Sequence, residues 1–357
     1  MRGATVASSD AFVKPVGIED VARAASVSIT TVSHALSGRG KVAESTRKRV
    51  LEVSRELGYA PNRMASGLRS RRSQIVGLVS DDIATTPFAT GVVLGAQDAA
   101  SERGQLLVVV NSNRDSDIES KQLAALLAAQ IDAVVYARMF HEDSSELPPE
   151  LDRIPSVLVD TTDSRGELRS VVPDEEQIGR LATETLLSAG HTAIAHLTVT
   201  GAGRGKTGRA TGYEAAMRDA GLQPRVFTGQ DTGTSESGRV AFTQMIESAS
   251  QDVTAVFCFN DPMAMGVYQA AMRMGVSIPA DLSFISVDNF EPVAAALQPG
   301  LTTVELPHYG MGRWAVDAAL AEMIPERPAA PLETRLPGKL VTRESITAPR
   351  VGDLFPR

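Results

Sequence analysis

Cysteine is almost missing from this 357-residue chain: Cys258 stands alone in the apolar run Ala255-Val256-Phe257-Cys258-Phe259. A single thiol excludes an intramolecular disulfide and cannot furnish a cysteine-rich metal site, so it reads as a small core residue. Long apolar runs are missing too; none reaches the roughly 18 to 20 residues that a membrane helix needs, and the first fifteen residues hold no long apolar stretch. A soluble, unexported, cytoplasmic chain is expected. The five histidines, His34, His141, His191, His196 and His308, show no HExxH spacing, and no G-x-S-x-G elbow occurs. Carboxylate pairs such as Asp81-Asp82 share one loop and offer no separable acid and base. No catalytic residue, metal ligand or cofactor is therefore expected, and the chain does not read as an enzyme.

What is present is an uneven charge. The formal net charge of -8 hides a head, residues 1 to 73, with 13 Lys/Arg against 6 Asp/Glu, and a remainder with 22 against 37. A basic end on an acidic body is the footprint that phosphate binding at one end requires, though a basic segment is also what a solvated face looks like.

Within the head, Ile18, Val21, Ala22 and Ala25 recur at helical spacing, and Ser28 is placed to cap a second helix, Ile29 to Leu36, with Val32 and Leu36 inward and Thr30 and His34 outward. The spacing Thr46, Val50, Val53, Leu57 predicts a third helix that Gly58 ends. Three short helices with a tight turn between the first two can be a helix-turn-helix or a generic bundle. The exposed short polar groups Ser28, Thr30, Thr31 and Ser33, flanked by Arg39, Lys41, Arg47 and Lys48, favour the former. From Gln74 the texture changes to near-continuous apolar strands separated by helices, as in Ile75 to Val79, Leu106 to Val110, Ala133 to Tyr136, Val157 to Val159, Ile194 to Val199, Ala255 to Phe259 and Leu282 to Val287. Such strands imply parallel sheets covered on both faces, a doubly wound α/β body with ligand groups at the strands' carboxyl ends. One stretch, Gly201-Ala202-Gly203-Arg204-Gly205-Lys206-Thr207, approaches a phosphate-binding loop but is one residue short of GxxxxGK[ST].

Ile18-Glu19-Asp20-Val21-Ala22, Ser26 to Ser33, Arg47 to Val50 and Leu57-Gly58-Tyr59-Ala60-Pro61-Asn62 closely resemble the head of LacI/GalR regulators. The resemblance continues through Ala189-Gly190-His191, Arg209 with Gly212-Tyr213, Phe259-Asn260-Asp261, Leu301 to Val304 and Val341 to Ser345. Residues 1–13, with Ser8, Ser9 and Asp10 among small residues and no periodic apolar face, read as a frayed, disordered extension, and the resemblance implies a DNA-binding head over 14–60, a hinge over 61–73 and a core over 74–350. The core is implied to be two Rossmann-like lobes of periplasmic-binding-protein type, an N-subdomain near 74–173 plus 304–331 and a C-subdomain near 174–303 plus 332–350. It further implies that Ile29, Thr30 and His34 face bases, that Ser28, Thr31, Thr46 and Asn62 hold phosphates, and that the hinge, with Ala65 and the wedge Leu68, enters the minor groove. His34 departs from the arginine common in the family, replacing a bidentate fork with one imidazole donor. Asp81, Phe88, Asp160, Arg209, Asn260 and Asp288 are the implied effector ligands. The implied partners are pseudo-palindromic operator DNA, a small polar effector such as a sugar, and a second copy of the chain. A dimeric repressor is expected, with a solute-binding protein of the same lobed fold as its rival.

Overall fold

A computed structural model describes residues 16–38, 40–59, 72–84, 86, 90–144, 147–248, 252–324 and 331–351. Asn62, Ala65 and Leu68 of the expected hinge, and Phe88, lie outside the described residues. The chain divides into two compact units, Met1–Ser73 and Gln74–Arg357.

The first unit is built on three helices. α1 (Ile18–Ala24) opens at Gly17, whose amide donates to Asp20 Oδ2 at 3.0 Å, so a first-turn carboxylate meets the unpaired amide end of the helix. α2 (Ile29–Ser37) starts where Ser28 Oγ accepts the Thr31 amide at 3.1 Å. α3 (Glu44–Glu56) packs Val50 against Val21, Ala22, Ala25, Val32 and Ala35. Its buried stripe is shorter than the periodicity predicts. Leu57 lies past the last helical residue and is 38% exposed, while Ser54 is buried, because a side chain beyond the final turn no longer follows the helical repeat.

The second unit holds two six-stranded sheets. β1 (Ile75–Ser80), α4 (Thr90–Glu102), β2 (Leu106–Asn111), α5 (Ser116–Ala128), β3 (Ala133–Ser144), β4 (Ser156–Asp163) and β5 (Arg169–Pro173) make the first lobe. The second takes α6 (Glu175–Ser188), β6 (Ile194–Thr198), α7 (Arg204–Asp219), β7 (Arg225–Thr228), α8 (Ser235–Glu247), β8 (Ala255–Cys258), α9 (Asp261–Arg273), β9 (Ser283–Asp288), α10 (Glu291–Ala294) and β10 (Thr302–Glu305). α11 (His308–Ala321) returns to pack on α4, β11 (Glu333–Leu336) joins the first sheet, and β12 (Lys339–Val341) joins the second. Strand orders are β11-β5-β4-β3-β1-β2 and β12-β10-β9-β8-β6-β7, with β12 antiparallel to its neighbour. Both faces of each sheet are covered. Val76 and Leu78 pack with Val92 of α4 and Met311 of α11, whereas Val79 packs with Leu123 and Leu126 of α5. Full burial of each such side chain contributes about 1.5–3 kcal/mol, which explains why these strands read as unbroken apolar runs rather than alternating ones.

Two of the expected lobe boundaries need correction. Thr302 to Glu305 pair with Ile285 to Asp288, so the second sheet extends through residue 305; Glu333 to Leu336 pair with Ser170 to Pro173, so the return to the second lobe comes after residue 336, not at 332. The reason is that β11, Glu-Thr-Arg-Leu, is a short edge strand with little apolar content. Backbone pairing, not hydrophobic pattern, decides which sheet it joins.

Candidate functional site

On the first unit, Ser28, Ile29, Thr30 and His34 are exposed at and after the start of α2, and Ile29 keeps 46% exposure despite being apolar. Thr31 is half-buried with its hydroxyl 2.9 Å from Ser28 Oγ, and the His34 ring lies against Gly40. Thr46 is half-buried in the first turn of α3, beside exposed Lys48 and Arg49. Ser28 thus serves the helix cap directly. Ser28→Ala is expected to cost about 1 kcal/mol, read as faster amide exchange along α2; unchanged exchange would count against the cap.

On the second unit the site follows from topology. In the first sheet β1 lies between β3 and β2, and in the second β6 lies between β8 and β7, so in each lobe consecutive crossovers leave in opposite directions and a crevice opens at the strands' carboxyl ends. Asp81 stands directly after β1, buried, with its Oδ1 accepting Ser80 Oγ at 3.2 Å and the Asp82 amide at 2.9 Å. Arg138, on neighbouring β3, reaches 3.9 Å from Asp81 and 3.2 Å from Glu119, with its guanidinium over the Tyr136 ring. Arg138 and Glu119 escaped sequence reasoning; the signal was a lone arginine directly after the apolar run Ala133 to Ala137.

Asp160, Arg209 and Asp288 converge. Asp160 is buried in β4 with a φ of 56°, and Asp288 closes β9 with a φ of 116°, followed by Asn289 at 53°. Non-glycine residues in this region cost about 1–3 kcal/mol each and persist where the surroundings impose them. Arg209, on α7 and 5% exposed, donates from Nε to Glu175 Oε2 at 2.7 Å, from Nη2 to Glu175 Oε1 at 3.3 Å and from Nη1 to the Phe259 carbonyl at 2.7 Å, its plane over the Phe259 ring. Burial disfavours its charge, but the carboxylates of Glu175, Asp288 and Asp160 more than restore it and hold its pKa above the usual value. Burial pushes Asp288 well above the ordinary carboxylate range; Arg209 pulls it down, and Asp261, Glu175 and Asp160 push it further up. Asp261, behind Asp288, accepts from Ser286 Oγ, from Thr303 Oγ1 at 2.8 Å and from the Phe290 amide at 2.7 Å; burial outweighs these bonds and lifts its pKa to about 6.

Asn260 is engaged with its own helix. Its Oδ1 caps α9 by accepting the Met263 amide at 3.0 Å, and its amide group packs against Gly233. Glu175 and Asp261 were missed in the sequence because each sits in the first turn of a helix, where acidic residues are commonplace. The glycine-rich stretch after β6 does not form a phosphate loop. Lys206 Nζ folds back on the Thr200 carbonyl at 3.0 Å, and α7 already begins at Arg204. Arg204 instead meets Glu333 of β11 at 3.0 Å, tying the two lobes. Among the described residues no cluster of His, Cys, Asp and Glu is placed to hold a metal ion, and no helix is long and apolar enough to cross a membrane.

Comparison with known proteins bears on both parts. The chain is 32% identical over 334 residues to catabolite control protein A of Priestia megaterium, covering 92% of this chain and 99% of the relative. It belongs to the LacI family. Residues 17–62 match the profile of bacterial regulatory proteins of the lacI family, and residues 168–346 match a periplasmic binding protein-like domain. The LacI-family chain is also 32% identical over 307 residues to the ribose operon repressor of Escherichia coli K12, covering 85% of this chain and 92% of the relative. Among solved structures, it superposes on the lac repressor dimer bound to operator and the anti-inducer ONPF with a TM-score of 0.74 at 25% identity, over 94% of this chain and all of that one. A complex of the regulator CelR with cellobiose gives 0.64 at 29% identity, over 92% and 99%. A LacI-family chain is a DNA-binding transcription regulator, not an enzyme.

Proposed function

We propose that this LacI-family regulator is a cytoplasmic homodimer that represses by binding a pseudo-palindromic operator and is controlled by a small polar effector, a sugar or related metabolite, held between its lobes. The observation that carries the DNA half is the exposed start of α2, where Ile29, Thr30 and His34 are free of the core and available to base edges while Ser28, Thr31 and Thr46 stand at its flanks for phosphate oxygens. In this reading Asn62 also holds a phosphate, and Ala65 with the wedge Leu68 reads the minor groove. The relatives support the reading: one solved neighbour is a dimer on operator DNA and another holds cellobiose.

The effector half rests on Asp160, Arg209 and Asp288, drawn from both lobes into one electrostatic cluster; Asp81, Phe88 and Asn260 belong to the same reading as further effector ligands. Carboxylates, an amide and a guanidinium suit a polyhydroxylated ligand, because each hydroxyl donates and accepts. An effector that prefers one lobe arrangement shifts the equilibrium toward it by its differential affinity, and so changes operator binding.

The test is selection of duplexes from a random pool by the purified protein, then titration of the winner at two salt concentrations. A palindrome whose affinity falls steeply with salt is expected, since each neutralised phosphate releases a counterion. No enrichment, alone or with a metabolite extract, would overturn the reading.

A further inference from the structure

Two hydrogen bonds bind the crossovers between the lobes to each other. The Asp174 amide donates to the Leu336 carbonyl at 2.8 Å, and the Gly338 amide donates to Gln177 Oε1 at 2.9 Å. Both lie where the chain passes from one sheet to the other, so a change in lobe angle moves these groups least. The Arg204 contact is of another kind. Arg204 opens α7 in the second lobe, away from the crossovers in sequence, and its Nη1 donates to Glu333 Oε2 at 3.0 Å, on a strand that pairs with β5 of the first sheet.

Glu333 is set for this contact from its own side. Arg335, two residues along β11 and so on the same face, donates from Nε to Glu333 Oε1 at 2.7 Å, which turns the other carboxylate oxygen to Arg204. Burial would raise the Glu333 pKa, but Arg335 and Arg204 outweigh it and hold it below the usual carboxylate range. Beside the triad a cavity of about 220 Å³ opens between Val172 and Pro173 of β5, Glu176 of α6 and Thr207 of α7, with Arg204 and Arg335 on its wall. An open junction yields to lobe rotation more easily than interlocked side chains do, and here an ion pair spans it.

We propose that Arg204, Glu333 and Arg335 form an ionic latch that holds the described lobe arrangement, and that operator affinity depends on whether this latch is closed. A ligand or variant that favours another lobe angle must break the Arg204–Glu333 contact, so the strength of that contact enters the equilibrium between arrangements. The operator half of the inference rests on the regulatory reading above; the latch itself does not.

Hydrogen exchange of the full chain, read at the Asp174 and Gly338 amides, tests the latch without effector or DNA. Glu333→Gln and Arg204→Gln should each speed exchange about threefold, as expected for a partly exposed pair. The double variant should gain no more than either single one, because the same contact is lost in all three. Arg204→Cys with Glu333→Cys, joined by a short bis-maleimide that spares the buried Cys258, should slow exchange at both amides. Exchange unchanged in the single variants, or additive in the double one, overturns the latch.

Operator titration of the same proteins tests its consequence. The Gln variants and the cross-linked protein should depart from wild-type affinity in opposite directions, the former about threefold. Affinity equal to wild type in all of them, with exchange altered as expected, overturns the regulatory role. Failure to find any operator overturns the regulator reading instead, while exchange still decides the latch.

Discussion

Gly179→Ala is expected to cost about 3 kcal/mol of stability and to displace Arg209 from its partners. A methyl group at position 179 of α6 would run into the carbonyl oxygen and Cα of Arg209 on α7, and one at position 212 of α7 would run into the Glu176 carbonyl and the Arg180 amide on α6. The two helices meet backbone to backbone at these reciprocal glycines. No side-chain rotation can relieve such a clash, so the helices must part, and the Nε of Arg209 must move relative to the Glu175 carboxylate it now meets at 2.7 Å. Gly310→Ala is the control. It lies in α11 with the Leu336 side chain 3.5 Å from the added carbon, an ordinary contact, and relief of backbone entropy should leave it neutral or stabilised by up to about 1 kcal/mol. Urea unfolding of the three proteins checks both; a Gly179→Ala midpoint equal to wild type would refute the close packing.

Arg209→Met is the second large effect. It leaves Glu175 buried without its cation, and breaking a buried pair from one side costs about 3–5 kcal/mol. Unpaired Glu175 should then titrate upward, so the loss should shrink as pH falls and the carboxyl takes a proton. Arg209→Met combined with Glu175→Leu should recover much of the loss, because two buried charges leave together, yet the effector response should stay absent. A double-mutant cycle in urea, run beside operator release, separates the two. Additive losses would mean that the pair is not a unit.

Much of this molecule was legible from residue order. Ser28 one position before an apolar-periodic run predicts a cap, and its Oγ meets the Thr31 amide; Val76 to Val79 and Ala255 to Cys258 read as doubly covered strands and are such. These features are local, set by spacing within one or two helical turns or by burial on both faces of a strand. Arg138 beside Asp81, the Glu175 grip on Arg209, and Asp261 behind Asp288 were not legible, because each pairs residues far apart in the chain through strand order and helix packing.

Sequence alone therefore determined the charge division between head and body, the helical head, the α/β body and the residue types offered to a ligand, since charge, periodicity and apolar runs are properties of neighbours along the chain. Tertiary structure decided that β11 belongs to the first sheet, that Asn260 caps a helix, and that Arg209 is already neutralised where a ligand would meet it. Those outcomes depend on which groups burial brings within hydrogen-bond reach, and in a low-dielectric cleft that proximity, not the identity of each residue, sets the charge a ligand encounters.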